Sequence, residues 1–337
     1  MKAVRLTEKG DLDGLKLVES DTPSPPPYHV LVRMRAAALN YRDLAAAYGR
    51  YPGAQLPNVV VLSDGAGEVA AVGEGVTRCR VKDRVSANCN PNWIGGEKEP
   101  RHQQSSFGFS LDGMLADYVV VSEEAIVHLP AYMSFEEGAS LPCAATSAWN
   151  ALVSGPILLP GQFVLTMGTG GVSLFALQLA QTFGARVVAT SSSRAKCDFL
   201  TKLGAFDTIN YRDVPAWGEK ACELTGGVGV HRVIEIGGAG TIQNSIGSTR
   251  IGGCIALIGF VAGFDKTLSP MDIMMRSTQI FSVGMGSRQQ FEAMLMAMEA
   301  HKVRPVIDQV FPMNDFKAGF RRLESGQHMG KVIIAVE

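Results

Sequence analysis

The chain has 337 residues, 46% of them hydrophobic, a length that favours two domains over one. Its formal net charge of −1 provides no overall positive field, so we expect no binding to nucleic acid or to an anionic membrane surface. The six cysteines form no CxxC pair, and the stretch "MKAVRLTEKGD" lacks an apolar signal core, so we expect a cytoplasmic protein without a disulfide framework.

The first part of the chain shows the alternation of apolar and polar residues that is typical of β-strands. It begins with "HVLVRMRAAAL", after the turn-rich "TPSPPP", and continues in "GAGEVAAVGEGV", "KDRVSANC" and "LADYVVVSEEAIVHLP". Residues 90–111, between these strands, are polar and rich in Gly and Pro, without a clear period. We expect a surface loop or lobe there, with His102 as a surface imidazole.

Helix and strand patterns alternate from Ser134 onward. Ser134 and Glu137 fit a capping box at the start of a helix. The buried strand "FVLTM" and the helix "SLFALQLAQTFGA" follow, and further strands and helices alternate to about Ser282. This order predicts an α/β fold in which residues 127–282 form a doubly wound parallel sheet, the Rossmann arrangement, and residues 1–126 and 283–337 form a β-rich domain.

One long stretch, residues 138–185, carries no charged side chain and raises the question of a membrane span. Its apolar runs are interrupted by "SGP", "LPGQ" and "GTGG". No run reaches the roughly 20 apolar residues that a transmembrane helix needs. We therefore expect a buried strand, turn and helix, and no membrane insertion.

The turn "GTGGVS" lies between a predicted strand and a predicted helix, which is the setting of a dinucleotide diphosphate site. The first Gly permits the tight turn, the second admits the diphosphate, and free N–H groups at the helix start bind it. The third Gly of the usual pattern is replaced by Ser173, and a turn required only for close packing is the alternative. The expected diphosphate contacts are Gly168, Thr169, Gly170, Gly171 and Val172.

The end of the next strand bears on which dinucleotide binds. Ser191 stands where an NAD enzyme usually places an Asp or Glu for the ribose 2′-hydroxyl, and Ser192, Arg194 and Lys196 follow it. Hydroxyls and cations bind a 2′-phosphate, which a carboxylate would repel. The sequence therefore favours NADP(H), with Tyr211 as a further phosphate donor. A solvated helix start is the alternative for Arg194 and Lys196, although helix N-termini disfavour cations.

Several motifs occur in an order that resembles the medium-chain dehydrogenase/reductase superfamily, and most of all its zinc-free branch of quinone-oxidoreductase-like and alcohol-dehydrogenase-like proteins. They are "ALNYRDL", "SDGAGEVAAVGEGV", "KDRV", "DGMLADYVVV", "SLPCAATSAWNAL", "GTGGVS", "TGGVGVHRVIEIGG" and "GQHMGKVII". The resemblance implies a GroES-like β-rich catalytic domain beside the Rossmann domain. It also implies a homodimer that acts on a small-molecule substrate.

The resemblance also bears on whether the chain binds a catalytic zinc ion. Zinc-dependent members carry a Cys, a His and a further Cys or Asp at positions that correspond to Asn40, Ser63 and Cys143 of this chain. Only Cys143 is retained, whereas a catalytic zinc needs three protein ligands. The six histidines show no ligand spacing. We therefore expect no metal, and we interpret Cys143 as a buried small hydrophobic residue.

Without a Lewis acid, hydride transfer is easiest onto a substrate that is already electrophilic. This favours an NADPH-dependent oxidoreductase that reduces an enone, a quinone or an activated carbonyl. The alternatives are an alcohol or aldehyde dehydrogenase of the same superfamily and a non-catalytic NADPH-binding protein.

Asn40 and Tyr41 are the candidate catalytic residues, although Asn40 as a turn cap and Tyr41 as a packing residue are equally compatible with the sequence. Tyr51 and Trp93 are candidates for the wall of the substrate pocket. The resemblance places further residues at the nicotinamide end of the cofactor. These are Ser147, Gly259, Phe260, Met285, Ser287 and Lys331, although Lys331 also fits a lysine on a surface strand.

Overall fold

A computed structural model describes residues 1–264 and 268–336 of the chain. These residues divide into two compact units. The first is formed by residues 1–146 and 285–337, and the second by residues 147–284. None of the helices in the described residues combines the length and the apolarity that crossing a bilayer requires.

The strands of the described residues are short to medium in length and occur throughout the chain. They are β1 (Lys2–Leu6), β2 (Leu15–Glu19), β3 (His29–Ala38), β4 (Val59–Val60), β5 (Asp64–Val72), β6 (Arg84–Ala87), β7 (Tyr118–Ser122), β8 (Ile126–His128), β9 (Phe163–Met167), β10 (Arg186–Ser191), β11 (Asp207–Asn210), β12 (Val230–Glu235), β13 (Thr249–Leu257), β14 (Gln279–Ser282), β15 (Ile307–Pro312) and β16 (Lys331–Ala335).

The helices are concentrated in the second half of the chain. They are α1 (Tyr41–Ala47), α2 (Pro100–Gln103), α3 (Phe135–Ala139), α4 (Thr146–Val153), α5 (Gly171–Thr182), α6 (Arg194–Lys202), α7 (Trp217–Leu224), α8 (Ile242–Ser248), α9 (Pro270–Arg276), α10 (Arg288–His301) and α11 (Phe316–Glu324). A π-helical segment, Leu141–Ala145, joins α3 to α4.

The first unit is built on a seven-stranded sheet with the order β15-β16-β3-β5-β6-β8, in which β7 pairs with β3. A smaller sheet has the order β2-β1-β4. The central strand β3 is interrupted in its pairing with β5 by two register shifts, and such bulges bend a strand and increase its twist. The apolar side chains on the inner side of these strands form a single core, to which α11 contributes Phe316 and Phe320.

Residues 127–146, which the sequence assigned to the Rossmann domain, cluster with the first unit in the structure. The reason is the packing of α3, which lies against β3, β5 and β6. The predicted capping box at its start is confirmed, because Ser134 N donates to Glu137 Oε2 at 2.8 Å and Glu137 N donates to Ser134 Oγ at 3.2 Å.

The second unit is a six-stranded sheet with the order β11-β10-β9-β12-β13-β14. Every adjacent pair is parallel, from β10 with β11 to β13 with β14, which confirms the predicted doubly wound sheet. The crossover helices are the amphipathic segments that the sequence pattern indicated. Because the sheet is covered on both faces, its strands are continuous apolar runs, as in "FVLTM" of β9.

A buried arginine connects the sheet of the second unit to the end of α4. The side chain of Arg232, in β12, donates to the carbonyl oxygens of Ala151, Leu152 and Pro156. Its guanidinium also lies 5.9 Å from the ring centroid of Phe281. Carbonyls at a helix C-terminus carry partial negative charge, so they compensate a buried cation that would otherwise be costly.

We predict that Arg232→Met destabilises the protein by about 3 kcal/mol or more, because the carbonyls of α4 lose their donors inside the core. The measurement is the denaturant midpoint followed by circular dichroism. Arg212→Met is the matched control, since Arg212 is exposed, and it should leave the midpoint unchanged. Equal midpoints for the Arg232 variant and the wild type would show that Arg232 does not hold α4 to the sheet.

Candidate active site

The register of β16 against β3 places Lys331 beside Asn40. These strands are antiparallel, with Ile333 opposite Ala38, so the pairing continues to position 331 opposite position 40. Lys331 Nζ donates to Leu39 O at 2.6 Å and to Asn40 Oδ1 at 2.5 Å. Lys331 is only 3% exposed, so the alternative of a surface lysine is wrong.

A chain of hydrogen bonds runs from Asn40 to Cys143. Asn40 Nδ2 donates to Ser63 Oγ at 3.3 Å, and Ser63 Oγ donates to Asp64 Oδ1 at 2.7 Å. Asp64 Oδ2 accepts from the backbone N–H of Cys143 at 3.0 Å and lies 4.0 Å from Lys331 Nζ. The three positions that resemble zinc-ligand positions are therefore adjacent in the fold, and a buried lysine and a buried aspartate connect them.

A second buried cation lies in the first turn of α1. Arg42 is 7% exposed, and its Nη1 donates to Cys89 Sγ at 3.0 Å and to Ser106 Oγ at 2.9 Å. The guanidinium carbon is 5.3 Å from the ring centroid of Tyr51. Burial is the largest single effect and lowers the pKa of Arg42, but the ionisable groups around it, Cys89 and Tyr51 first, together outweigh burial, so the net shift is upward. Arg42 is therefore charged.

The thiols of Cys89 and Cys143 interact with each other next to Arg42. Burial raises the pKa of the Cys89 thiol, but the hydrogen bond from Cys143 and the charge of Arg42 reverse the effect, and the net shift is downward. The pKa of Cys143 is raised well above its ordinary value by its hydrogen bond to Cys89 and by burial. The two shifts run in opposite directions, and Cys143 is only partly buried, whereas the sequence suggested a buried residue.

This set of side chains does not match the ligand set of a catalytic zinc, which is three protein donors around an open position. Within the described residues, no three His, Cys, Asp or Glu side chains are grouped so that they could hold a metal ion. Two positive charges instead lie next to the potential donors, Arg42 at Cys89 and Lys331 at Asp64. Like charges within a few ångströms of a bound cation oppose its binding.

Asp43 closes the first turn of α1 and is buried together with Arg42. Its Oδ2 accepts from the backbone N–H of Asn40 at 2.8 Å, whereas its Oδ1 is buried and has no hydrogen-bond partner among the described residues. Burial is the main cause that raises the pKa of Asp43 to about 6, against the opposing charge of Arg42. Asp43 is the third residue of α1 and not its N-cap, which is Asn40, and the side chain of Asn40 is engaged with Lys331 and Ser63.

The other predicted residues of the first unit surround Arg42 or stabilise local turns. Tyr41 begins α1 and is 40% exposed, and Tyr51 packs edge-on against Phe109 at 5.1 Å. Met285 has a left-handed backbone (φ 60°) and its Sδ lies 3.9 Å from Arg42 Nη1. Ser287 caps α10, where its Oγ accepts from the backbone N–H of Gln290 at 3.2 Å.

Residues 90–111, for which the sequence predicted a surface loop or lobe, contain a buried aromatic pair. Trp93 is buried, stacks on His102 at 5.9 Å between ring centroids, and donates from Nε1 to Gly96 O at 3.1 Å. His102 is buried as well, and its Nδ1 accepts from the backbone N–H of Glu99 at 2.9 Å. The expectation of a surface imidazole is therefore wrong, because the aromatic pair gives this segment a small core of its own.

The glycine-rich turn of the second unit has the geometry of a phosphate-binding turn. Gly168 follows β9 with φ +75°, which favours glycine, and open space surrounds the position that a Cβ would take. Gly170 is the N-cap of α5, so the N–H groups of Gly171 and Val172 stand at the helix start. Ser173, which replaces the third Gly, donates from its hydroxyl to Met167 O. The residues fit a dinucleotide diphosphate.

The end of β10 lies next to this turn. Gly168 N donates to Thr190 O at 2.6 Å, and the neighbouring Ser191 is buried with an Oγ that has no partner among the described residues. An unpaired buried hydroxyl is costly unless a ligand satisfies it. Tyr211 is anchored here through its backbone N–H, which donates to Ser191 O at 2.9 Å.

The remaining predicted cofactor residues are spread over the second unit. Arg194 is 89% exposed on its side chain and pairs with Asp198 at 2.9 Å, and Lys196 is partly exposed in the first turn of α6. Ser147 is buried in α4. Phe260 stacks on Phe264 at 4.6 Å between ring centroids. Ser192 is partly exposed, and Gly259 approaches Ile236 so closely that a Cβ would lie 2.4 Å from its carbonyl oxygen.

Four residues of this network were not indicated by the sequence: Arg42, Asp64, Cys89 and Ser106. Arg42 stands in "LNYRDL" directly after the predicted catalytic residues, but a helical arginine is usually exposed. Its partners in the structure are 47, 64 and 243 residues away along the chain. The one sequence feature that pointed to this network was Cys89, which directly precedes the Gly- and Pro-rich residues 90–111.

Comparisons with known proteins agree with this architecture. A family model described as an alcohol dehydrogenase GroES-like domain matches residues 26–131, and one described as a zinc-binding dehydrogenase matches residues 171–300. A zinc-type alcohol dehydrogenase-like protein of Schizosaccharomyces pombe is 42% identical over 338 residues, which cover 98% of this chain and 97% of that protein. The chain belongs to the medium-chain dehydrogenase/reductase superfamily. It is therefore an oxidoreductase by family, with a GroES-like domain and a Rossmann domain.

Other members of the medium-chain dehydrogenase/reductase superfamily carry names for different activities. An acryloyl-coenzyme A reductase of Metallosphaera sedula is 30% identical over 345 residues, 99% of each chain. A solved structure named as an NAD-dependent alcohol dehydrogenase is 34% identical over 100% of both chains, with a TM-score of 0.92. A Pseudomonas syringae quinone oxidoreductase is 26% identical over 99% of each chain (TM-score 0.84), and a mycobacterial structure complexed with NADPH is 25% identical over 100% of both (TM-score 0.84).

The buried Asp43 generates a prediction about pH. The pKa of Asp43 in the folded state lies above the ordinary value of 3.8. The stabilisation of the folded state that this shift provides is therefore complete below pH 3.8 and is lost as the pH rises through about 6. A rise of roughly 2 pKa units corresponds to about 3 kcal/mol. The unfolding free energy of Asp43→Asn minus that of wild type should therefore increase by about 3 kcal/mol when the pH is raised from about 4 to about 8.

The measurement is urea unfolding of both proteins across that range. Asp21→Asn, at an exposed position, is the control and should follow the wild type at every pH. A constant difference between Asp43→Asn and wild type would contradict the upward shift in the pKa of Asp43.

Proposed function

We propose that the protein is a zinc-independent, NADP(H)-dependent reductase of an enone, a quinone or an activated carbonyl. The observation that carries this proposal is the pair of buried protein cations beside the positions that resemble zinc-ligand positions. Lys331 Nζ bonds Asn40 Oδ1 at 2.5 Å, and Arg42 Nη1 bonds Cys89 Sγ at 3.0 Å. Positive side chains in a site stabilise the negative charge that develops on a substrate oxygen during hydride transfer.

The choice of NADP(H) is supported by the residues after β10. The position that holds a ribose 2′-hydroxyl in an NAD site is occupied by Ser191 and not by an acid, and Arg194 and Lys196 follow. Arg194 forms an exposed ion pair with Asp198, and such pairs are worth about 1 kcal/mol or less. A phosphate dianion would be a stronger partner for the guanidinium. When bound, NADPH supplies the hydride.

In this proposal the chain positions the acceptor and provides hydrogen bonds to its oxygen. Because Lys331 bonds Asn40 Oδ1, the amide orientation is fixed and Nδ2 faces Ser63. An amide nitrogen carries two protons, and Ser63 takes one, so the second is available to a substrate oxygen. Tyr41, the next residue, is partly exposed, and its hydroxyl is the group that we propose donates a proton as the oxygen gains charge.

Two other functions are tested together with this one. The first is an alcohol or aldehyde dehydrogenase, which is favoured by the names of the S. pombe relative and of the NAD-dependent structure. The second is a protein that binds NADPH without turnover. Conjugated acceptors are preferred here because conjugation spreads the negative charge that hydride addition creates, so hydrogen-bond donors suffice.

The decisive experiment uses NADPH that carries deuterium at C4 of the nicotinamide. The protein is incubated with this cofactor and an enone that also has a reducible carbonyl, and the product is analysed by mass spectrometry and NMR. We expect deuterium at the β-carbon and an intact carbonyl, since hydride adds to the conjugated carbon. The Tyr41→Phe variant should give the same labelled product more slowly, by roughly 100-fold, because one donor to the oxygen is lost. Tyr28→Phe is its exposed matched control and should keep the wild-type rate.

Each outcome of the labelling experiment assigns one function. Deuterium on the carbinol carbon would identify an alcohol dehydrogenase and overturn the enone proposal. NADPH that binds but is not oxidised by enone, quinone or aldehyde would identify a non-catalytic binder.

The cofactor assignment gives a separate prediction. Replacing both Arg194 and Lys196 by Ala should raise the dissociation constant for NADPH by roughly 100-fold, because each cation contributes a charge-assisted hydrogen bond to the 2′-phosphate. Binding of NADH should change little. The matched control is Lys202→Ala at the far end of α6, which should affect neither cofactor. Equal losses for NADPH and NADH, measured by fluorescence titration, would show that these cations do not recognise the 2′-phosphate.

A further inference from the structure

Arg42 is a buried cation to which no acid is bonded within the described residues. The residue is 7% exposed, and its Nη1 contacts Cys89 Sγ at 3.0 Å, Ser106 Oγ at 2.9 Å and Met285 Sδ at 3.9 Å. None of these three groups is a carboxylate or a carbonyl oxygen. A guanidinium group that is taken out of water costs several kcal/mol unless other groups compensate it.

Other arginines with buried side chains are bonded to acids or to carbonyl oxygens. The side chain of Arg288 is 12% exposed, and it forms an ion pair with Glu124. Arg232 donates to three carbonyl oxygens of the backbone. Arg42 has neither kind of partner among the described residues, so bonds within the chain do not account for its burial.

Asp43 is the acid next to Arg42 in the chain, and it compensates the guanidinium only through space. Its Oδ2 accepts from the backbone N–H of Asn40 at 2.8 Å, and its Oδ1 is enclosed without a hydrogen-bond partner in the described part of the chain. Asp43 and Asp64 balance the charges of Arg42 and Lys331. What the guanidinium lacks is therefore a hydrogen-bond acceptor, and not a counter-charge in the region.

One side of the guanidinium is available to a ligand. Nη1 donates the only hydrogen bonds that the Arg42 side chain makes to described residues. Nε and Nη2 donate none, and neither is fully enclosed, in contrast to the unbonded Nε of Arg232. Nε and Nη2 form the side of a guanidinium whose two parallel N–H bonds match both oxygens of a carboxylate.

The surroundings of Arg42 orient this side next to the proposed hydrogen-bond donor for the acceptor. Arg42 is the second residue of α1, whose N-cap is Asn40. The ring of Tyr51, which the sequence predicted in the wall of the substrate pocket, lies 5.3 Å from the guanidinium carbon. Tyr51 in turn packs edge-on against Phe109 at 5.1 Å. These contacts limit the rotation of the guanidinium, so its unbonded side is held in one orientation.

We propose that the conjugated acceptor carries a carboxylate, and that Nε and Nη2 of Arg42 bind its two oxygens. This inference rests on the proposed reductase function, because it names the class of acceptor that the same site takes. The carboxylate does not react, and hydride still goes to the conjugated carbon. A neutral acceptor leaves the two nitrogens to water and therefore binds more weakly.

The test compares an enone that ends in a carboxylate with the methyl ester of the same compound. Both contain the same conjugated carbonyl, so a difference between them reports on the carboxylate. For the wild type with NADPH, we expect kcat/KM to be roughly 100-fold higher for the acid, because charge-assisted bidentate bonds are strong. The preference should lie in KM and not in kcat, since a group remote from the reaction binds alike in the ground state and the transition state.

Variants of Arg42 assign the preference to the guanidinium. Arg42→Met should bring the ratio of acid to ester close to one. Arg42→Lys keeps the charge without the paired donors and should retain a preference of roughly tenfold. The matched control is Arg50→Met, because Arg50 is exposed and its guanidinium carbon lies 5.1 Å from the ring centroid of Tyr48. This control should keep the wild-type ratio.

Calorimetry measures binding without turnover. The ligands are the saturated keto acid and its methyl ester, each with and without NADP⁺. The wild type should bind the acid roughly 100-fold more tightly than the ester, and Arg42→Met should bind both alike. Circular dichroism checks that each variant is folded. If Arg42→Met does not fold, the wild-type comparison and Arg42→Lys decide.

Equal kcat/KM values for acid and ester in the wild type would overturn the proposal, and so would a preference that Arg42→Met retains. If both compounds are reduced at equal rates, the reductase function stands and the carboxylate class is wrong. If neither oxidises NADPH but the keto acid binds tightly through Arg42, the binding site stands and the proposed reaction is wrong. If the keto acid does not bind and neither compound is reduced, both are wrong.

Discussion

Lys331 and Arg42 are two positive side chains buried in the β-rich unit, on either side of the start of α1. Taking an ammonium or a guanidinium group out of water costs several kcal/mol unless its protons are bonded. Lys331 meets this requirement through Leu39 O, Asn40 Oδ1 and Asp64, and Arg42 through Cys89 and Ser106. Loss of any of these partners would leave a buried charge uncompensated. The two cations therefore hold the end of β3, the start of β5 and the segment around residue 89 in one arrangement.

This requirement links the site to the fold. A strand, β16, brings Lys331 to the end of β3, and α3 with the π-helical segment after it brings Cys143 to Asp64. The superfamily includes proteins named as zinc-type alcohol dehydrogenases as well as a quinone oxidoreductase and an acryloyl-coenzyme A reductase. The scaffold therefore accommodates more than one chemistry. In this chain, protein cations take the positions beside the potential metal donors, and this is the physical basis of the proposed zinc-free reaction.

The parts that the sequence predicted well are local. The Rossmann sheet follows from the alternation of strands and helices, and the turn at Gly168 from the short motif between β9 and α5, because each signal lies within one element or two neighbours. Residues 127–146, which the sequence assigned to the Rossmann domain, cluster with the first unit, because α3 packs on the sheet of that unit and this contact is not visible in sequence.

The network around Arg42 and Lys331 was outside the reach of sequence reasoning. Lys331 contacts residues that are 291 and 292 positions away, and a lysine in a strand is usually exposed. Cys89 and Cys143 were interpreted singly, and only the fold brings Cys89 to the guanidinium of Arg42. Likewise His102 is buried because it stacks on Trp93, a contact that periodicity does not indicate.

The most direct test of the account is to measure metal content and turnover on the same sample. The purified protein is dialysed against a chelator, zinc is quantified by elemental analysis, and NADPH oxidation with an enone is followed before and after zinc is returned. The account predicts that turnover is unchanged when zinc falls far below one equivalent, because Lys331 and Arg42 supply the positive charge. Turnover that falls in proportion to zinc and returns with it would contradict the central claim.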